Sequence, residues 1–391
     1  MRNCLLTILC LLFAAALAAV TYSDSLLESA IAGDAAAQYQ IGTCYQDGLG
    51  VEKDPVAAVH WYTLAAEQGH AGAQNNLGYC YYTGDGVDED KSAAVQWFRK
   101  AANQGLAAAQ YSLGLCYKNG SGTVKNTREA LKWLQLAAES GHARSLYLIG
   151  QLYYYGDGIV QDKAEALKWT RRAADRNSVE AMLFLARESE QAEKPDLSDA
   201  FRWYRKASDL GDAQARYYLG RCYETGSGVK KDTREALRLY RLAADASNAD
   251  AAYRLARAYA DGDLVDEDSA AFLEWLEKAA QWGQRDAQFA LGKMYQHGEQ
   301  VETDPELAAF WFLEAASRNH PTAQYEIGIC YAFGDGVQEN AYEALFWLSL
   351  ANAYGDPDAA QARELLVSEF TTQDLENNYA RVSQWLAEHP Q

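Results

Sequence analysis

Few residues in this 391-residue chain stand at spacings that could support catalysis. The only Ser-x-x-Lys is Ser227-Gly228-Val229-Lys230, in which the lysine could take the proton of a nucleophilic serine during acyl transfer. No Ser-Asp-Asn or Lys-Thr-Gly accompanies it, and it falls where the chain repeatedly carries a Gly-x-Gly-Val turn, so its structural reading is preferred. His60, His70, His142, His297, His320 and His389 are scattered, three of them in one recurring turn position, and their spacing does not suggest a zinc site. There is no phosphate loop. The residues point to no catalytic group, metal or cofactor, and what chemistry remains is that of binding.

The elements that would carry a binding surface recur at a fixed period. Stepping by 36 residues from Gly78 and Trp97 finds Gly42, Gly114 and Gly150 on one column and Trp61, Trp133 and Trp169 on the other. Nine units can be anchored, at Gly42, Gly78, Gly114, Gly150, Ala186, Gly220, Ala256, Gly292 and Gly328. A fixed period in this range is the signature of a repeat array. In each unit the apolar residues fall at helical spacing before and after a Gly-x-Gly turn, which predicts a helical hairpin with a helix A and a helix B. Seven residues before the Trp column stand Asp54, Asp90, Asn126, Asp162, Asp196, Asp232, Asp268, Asp304 and Asn340. Each would accept from the free N–H groups opening helix B, so these acids are structural. Helix B then closes on paired small residues followed by Gly69, Gly105, Gly141, Asn177, Gly211, Gly283, Asn319 or Gly355. The Trp column is assigned to the core. Repeat five departs from the pattern: its turn is two residues shorter, has no Gly-x-Gly, and Ser189 replaces the usual Tyr.

Four segments follow: residues 1–18 as a cleavable export signal, 19–34 as an N-terminal capping helix, 35–355 as nine repeats, and 356–391 as C-terminal capping helices. The signal rests on Arg2, the apolar run Leu5–Ala15 and the small-x-small Ala16-Leu17-Ala18. It places the mature protein outside the cytoplasm, in a periplasm or beyond it in a bacterium and in the secretory lumen in a eukaryote. No stable membrane insertion is expected after cleavage. A formal net charge of −19 argues against nucleic acid as a partner, because phosphate binding is driven by counterion release at Lys and Arg.

The pattern at Ala73 to Gly105, A-x-x-x-L-G-x-x-Y-x-x-G-x-G-V-x-x-D-x-x-x-A-x-x-W-x-x-x-A-A-x-x-G, resembles the Sel-one-like repeat, a longer-looped relative of the tetratricopeptide repeat. The resemblance covers about residues 35–355. It implies an all-α protein, a right-handed α-solenoid of helical-hairpin repeats with helix A on the concave wall, and the work of an adaptor or scaffold. A cysteine-rich branch of the family has disulfides within its repeats and has been credited with β-lactam binding or hydrolysis. Here Cys44, Cys80, Cys116, Cys222 and Cys330 all lie two residues after the column Gly, and helix B carries no Cys. Equivalent positions in neighbouring repeats sit about 8–10 Å apart, beyond disulfide reach, so five buried thiols are expected.

Helical rotation turns the residue after the column Gly away from the buried face. That column reads Thr43, Tyr79, Leu115, Gln151, Arg187, Arg221, Arg257, Lys293 and Ile329, with four consecutive basic residues in an acidic chain. Three before the Gly stand mainly aromatic residues, among them Tyr217, Tyr253 and Phe289. Arg187 and Arg221 have Glu190 and Glu224 three residues on, which could neutralise them. Arg254, Arg257 and Lys293 are therefore where uncompensated positive charge is expected. The predicted binding surface comprises Arg254, Arg257, Lys293, Arg221, Arg187, Tyr217, Tyr253, Phe289 and Tyr79. Its expected partner is an extended acidic protein segment held in the concave groove. The alternatives are a β-lactamase-like hydrolase and a carbohydrate-binding trough.

Overall fold

A computed structural model describes residues 21–389, so the export signal expected over residues 1–18 lies outside the described residues. The described chain forms 21 helices, and no strand occurs among the described residues. In repeats one to four and six to nine the two helices pack on one another as a hairpin, and helix B packs on the next helix A after repeats one to three and five to eight. The chain divides into two compact units, one ending at Leu185 and the other beginning at Ala186, a break inside the first helix of repeat five, Val179–Gln191.

Repeat two shows why the sequence folds this way. Helix A, Ala71–Thr83, ends on Gly84 at φ +74°, a left-handed conformation that costs glycine little. Helix B, Lys91–Asn103, opens on Asp90, whose side chain accepts from the N–H groups of Ser92 and Ala93 at 2.9 Å. The Asp90 N–H itself donates to the Tyr81 carbonyl at 2.8 Å, tying the start of helix B to helix A. The same backbone bond recurs in all nine repeats at 2.7–3.1 Å, from Asp54 to Tyr45 through Asn340 to Tyr331. Repeat five keeps it despite its short turn: Asp196 donates to the Ser189 carbonyl at 2.9 Å, so the ring was dispensable to the closure. Where the left-handed positions lack glycine or asparagine, other residues take the strain. Ser247 adopts φ 60° at the close of repeat six and Gln300 φ 62° in the turn of repeat eight, whereas Leu264 in repeat seven stays out of that region.

The core differs from expectation in one respect. Of the tryptophans on the column, only Trp347 is buried; Trp61, Trp97, Trp133, Trp169, Trp203, Trp275 and Trp311 are half-buried. Several are covered by a cation three residues on: Lys100 lies 3.6 Å above Trp97, Arg172 4.2 Å above Trp169, and Lys278 4.3 Å above Trp275. The fully enclosed position is the next residue, Tyr62, Phe98, Leu134, Thr170, Tyr204, Tyr240, Leu276, Phe312 and Leu348. In the seven repeats that carry the column glycine these side chains fill the space left by its missing Cβ on helix A; repeats five and seven carry Ala186 and Ala256 there instead.

A second buried column binds successive repeats together. Gln38, Gln74, Gln110, Gln288 and Gln324 each donate through Nε2 to the carbonyl of Ala30, Ala66, Ala102, Ala280 or Ala316, at 3.0–3.3 Å. Each bond adds a second donor to a C-terminal helix carbonyl that also accepts from the backbone N–H three residues on, that of Gly33, Gly69, Gly105, Gly283 or Asn319. Toward the C-terminus Thr371 caps the last helix in a reciprocal box with Asp374. In that helix Trp385 packs on Phe346 and Trp347 and donates its indole N–H to Asn319 at 3.0 Å.

Candidate partner-binding surface

The residues one after the column position stand as helical rotation requires. Tyr79, Arg187, Arg221 and Arg257 are exposed, while Lys293 is half-buried. Their charge relations invert the sequence expectation. Arg254 is not free: its guanidinium spans Glu224 at 2.6 Å and Asp263 at 2.5 Å. Burial works against its charge, yet the hydrogen bonds to these two carboxylates hold its pKa above the usual guanidinium value. Arg257 pairs with Asp261 one turn on, at 2.9 Å. Lys293 pairs with Glu326 of the following repeat at 3.1 Å and also donates to Gln296 at 2.7 Å. The sequence reading sought compensation three residues along one helix, but Glu224 and Glu326 belong to neighbouring helices whose register the array sets.

The same exchange releases Arg187 and Arg221, the two arginines for which the sequence offers neutralising partners. Glu224 serves Arg254 and accepts a short hydrogen bond, 2.5 Å, from the buried Tyr240 hydroxyl; Glu190 accepts from Tyr204 at 2.9 Å. Among the described residues neither Arg187 nor Arg221 has a carboxylate at ion-pair distance. Both lie instead against the ring of Tyr218, with guanidinium carbons 5.5 and 5.9 Å from its centroid. Arg187 also donates to the Tyr218 hydroxyl at 3.1 Å. Tyr218 is seated by stacking on Tyr204, centroids 5.0 Å apart and 26° between planes. The Tyr218 ring and two exposed cations thus come together across the first helices of repeats five and six. Sequence reasoning missed Tyr218, although its place three residues before Arg221 puts both on one helical face.

The predicted aromatic wall is mostly engaged in packing. Tyr217 lies against Tyr218 and Tyr240, Tyr253 packs on the core around Tyr240 and Leu255, and Phe289 stacks on His320 with centroids 4.5 Å apart. Tyr79 is the exception, 50% exposed and standing between a cavity of about 310 Å³ bounded by Gln46, Asn76 and Asp85 and a smaller one of about 80 Å³ beside Leu115.

The chemistry-bearing residues hold structural posts. The Ser227 hydroxyl is engaged with Thr225 at 2.7 Å in the hairpin turn. His70, His142 and His320 each accept, through Nδ1, from a backbone N–H of the helix they cap. Among the described residues no three His, Cys, Asp or Glu are grouped to hold a metal ion, and no helix is long and apolar enough to cross a membrane. Cys80, Cys116, Cys222 and Cys330 are free and buried, and Cys44 is buried. Burial pushes the Cys80, Cys116 and Cys222 thiols up to about 11 and that of Cys330 to about 12.

Stacked two-helix repeats with a cap at each turn define this protein as an α-solenoid. The Sel1 repeat model matches nine times, at residues 35–70, 71–106, 107–142, 143–178, 179–212, 213–248, 249–281, 285–320 and 321–356, and the chain belongs to the Sel1 repeat family. It is similar to a Sel1 repeat protein from Oxalobacter formigenes, at 31% identity over 80% of this chain and 94% of that one, with a TM-score of 0.64. It is also similar to a protective antigen of uropathogenic Escherichia coli strains with the same repeat fold, at 26% identity over 94% of both chains and a TM-score of 0.49. No curated protein matches it. Sel1 and tetratricopeptide-like repeat folds serve generally in protein–protein interaction, and the Sel1 family is generally a non-enzymatic scaffold.

Proposed function

We propose that this protein is an exported adaptor that holds an extended acidic segment of a protein partner along its wall of first helices. The observation that carries the reading is the Arg187–Tyr218–Arg221 group. Two guanidiniums without carboxylate partners flank an aromatic plate on the exposed face of adjacent repeats. Arginine suits this task because its planar fork meets a carboxylate with two parallel hydrogen bonds while its face stays on a ring. The contact is thereby moved from the ion-paired Arg254, Arg257 and Lys293 to repeats five and six. Tyr79 supplies a further exposed ring for the same kind of segment. Export rests on the leader pattern over residues 1–18, and a mature N-terminus located just beyond it by mass measurement would support that part.

A fluorescent octaglutamate peptide tests the surface by anisotropy. Wild-type protein should bind it more weakly as salt rises, since the Debye length shrinks from about 10 Å at 0.1 M to about 3 Å at 1 M. The Arg187→Glu/Arg221→Glu variant should lose at least about tenfold in affinity with its helical signal unchanged, while Arg99→Glu/Lys100→Glu on a second helix should not. Equal binding by wild type and the Arg187/Arg221 variant would refute the assignment.

A further inference from the structure

We infer that a pocket at the C-terminal end of the protein, built around Arg363, binds a carboxylate. It is separate from the Arg187–Tyr218–Arg221 surface and does not depend on it. The second helix of repeat nine, Ala341–Ala353, is buried on every side from Ala344 to Ala351 and carries one hydroxyl in that stretch, Ser349. The equivalent position elsewhere is held by residues such as Thr63, Arg99, Arg171 and Arg241. Here the helices Ala359–Val367 and Thr372–Glu388 cover it. The Ser349 hydroxyl donates to the Leu345 carbonyl at 2.6 Å and accepts from Arg363 Nε and from Asn378 Nδ2, each at 3.0 Å.

This arrangement fixes the guanidinium while using only one of its five donors. The anchor is a neutral oxygen, and among the described residues no carboxylate lies within ion-pair distance of Arg363. In a chain of net charge −19, where Arg254, Arg257, Lys293 and Arg381 all have acidic partners, Arg363 is, with Arg216, one of two half-buried arginines that have no carboxylate at ion-pair distance among the described residues. It opens on a cavity of about 300 Å³ lined also by Asn352, Asn378 and Ser383 on the polar side and by Val382 and Leu386 on the other. That volume is at the lower end of small-ligand sites. The terminal nitrogens match a carboxylate through two parallel hydrogen bonds, the amides and the Ser383 hydroxyl add neutral donors, and the apolar wall accepts a short aliphatic group. A single cation beside neutral amides suits a monoanion better than a phosphate dianion. The ligand is therefore a carboxylate with a small apolar neighbour, presented by a free acid or by the last residue of a peptide.

The test uses the full mature chain. N-acetyl-leucine serves as the free acid, N-acetyl-leucinamide as its neutral control, inorganic phosphate as the competing anion, and a pentapeptide ending in leucine, with free or amidated C-terminus, as the chain-terminal source. Titration should show saturable binding of the acid, at least about tenfold tighter than of its amide or of phosphate. Binding should fall at least about tenfold in Arg363→Gln, consistent with loss of charge-assisted hydrogen bonds. Tighter binding of the free-acid pentapeptide than of N-acetyl-leucine would assign the pocket to peptide termini, and the reverse to free acids. Arg363→Lys should recover part of the binding, and an unchanged melting temperature in both variants separates recognition from folding. Equal affinity for acid and amide, affinity retained in Arg363→Gln, or no saturable binding of any probe would overturn the assignment.

Discussion

Gly292 lies face to face with the ring of Phe312: a β-carbon on this glycine would stand 2.6 Å from two of the ring carbons. The same relation joins Gly78 to Phe98 and Gly220 to Tyr240, at 2.7 Å. In these repeats the close approach of the two helices depends on a methyl group being absent from helix A opposite a large buried ring of helix B, whereas repeats five and seven accommodate Ala186 and Ala256 at the equivalent position.

Gly292→Ala should cost about 1–3 kcal/mol by overpacking, despite the better helix propensity of alanine. Phe312→Ala alone should cost about 3–5 kcal/mol. The double variant should lose less than the sum of the two, because the added methyl occupies part of the vacated space. Urea unfolding of the four proteins measures the coupling, and strict additivity would show that the contact is not what excludes a side chain there.

Stability should depend on the histidine caps in a definite pH range. Burial holds the pKa values of His70, His142 and His320 below their ordinary 6.5, and Nδ1 must stay unprotonated to accept from the helix. The nearby charges partly oppose one another, with Asp34 raising His70, Arg144 lowering His142, and Asp286 and Arg285 acting in opposite senses on His320. Since the folded values are depressed, the unfolded chain takes up protons first. The contribution is complete above about pH 6.5 and is lost as pH falls from there through the folded values. A triple His70→Asn, His142→Asn, His320→Asn variant keeps a capping acceptor, as Asn248 does in repeat seven. Its melting temperature should fall less than that of wild type between pH 7.5 and 5.5, and parallel curves would refute the role.

The thiols offer a third measurement. Cys80, Cys116, Cys222 and Cys330 are at most 4% exposed, and burial raises their pKa values, so native protein at pH 8 should leave them unalkylated over the time that denatured protein labels all four. Rapid native labelling at any of them would contradict the packing described.

The period, the hairpins and the turns were legible because they are local. A Gly or Asn with positive φ, an Asp seven residues before a Trp and apolar residues at helical spacing each constrain only a few neighbouring residues, and nine copies make the pattern unmistakable. Even the burial of the thiols could be read from their common column. What the sequence could not reveal was which side chain meets which across helices. The Trp column was identified as the core, whereas the following residue is enclosed, because the close approach at Gly292 and its equivalents turns that face inward. Glu224 is three residues from Arg221 in the chain and thirty from Arg254, yet it pairs with Arg254, since adjacent helices stack side by side and both groups lie half-buried between them. Partner choice among charges was thus a tertiary decision. It neutralised Arg254 and Lys293, left Arg187 and Arg221 to Tyr218, and set Arg363 on a hydroxyl rather than on an acid.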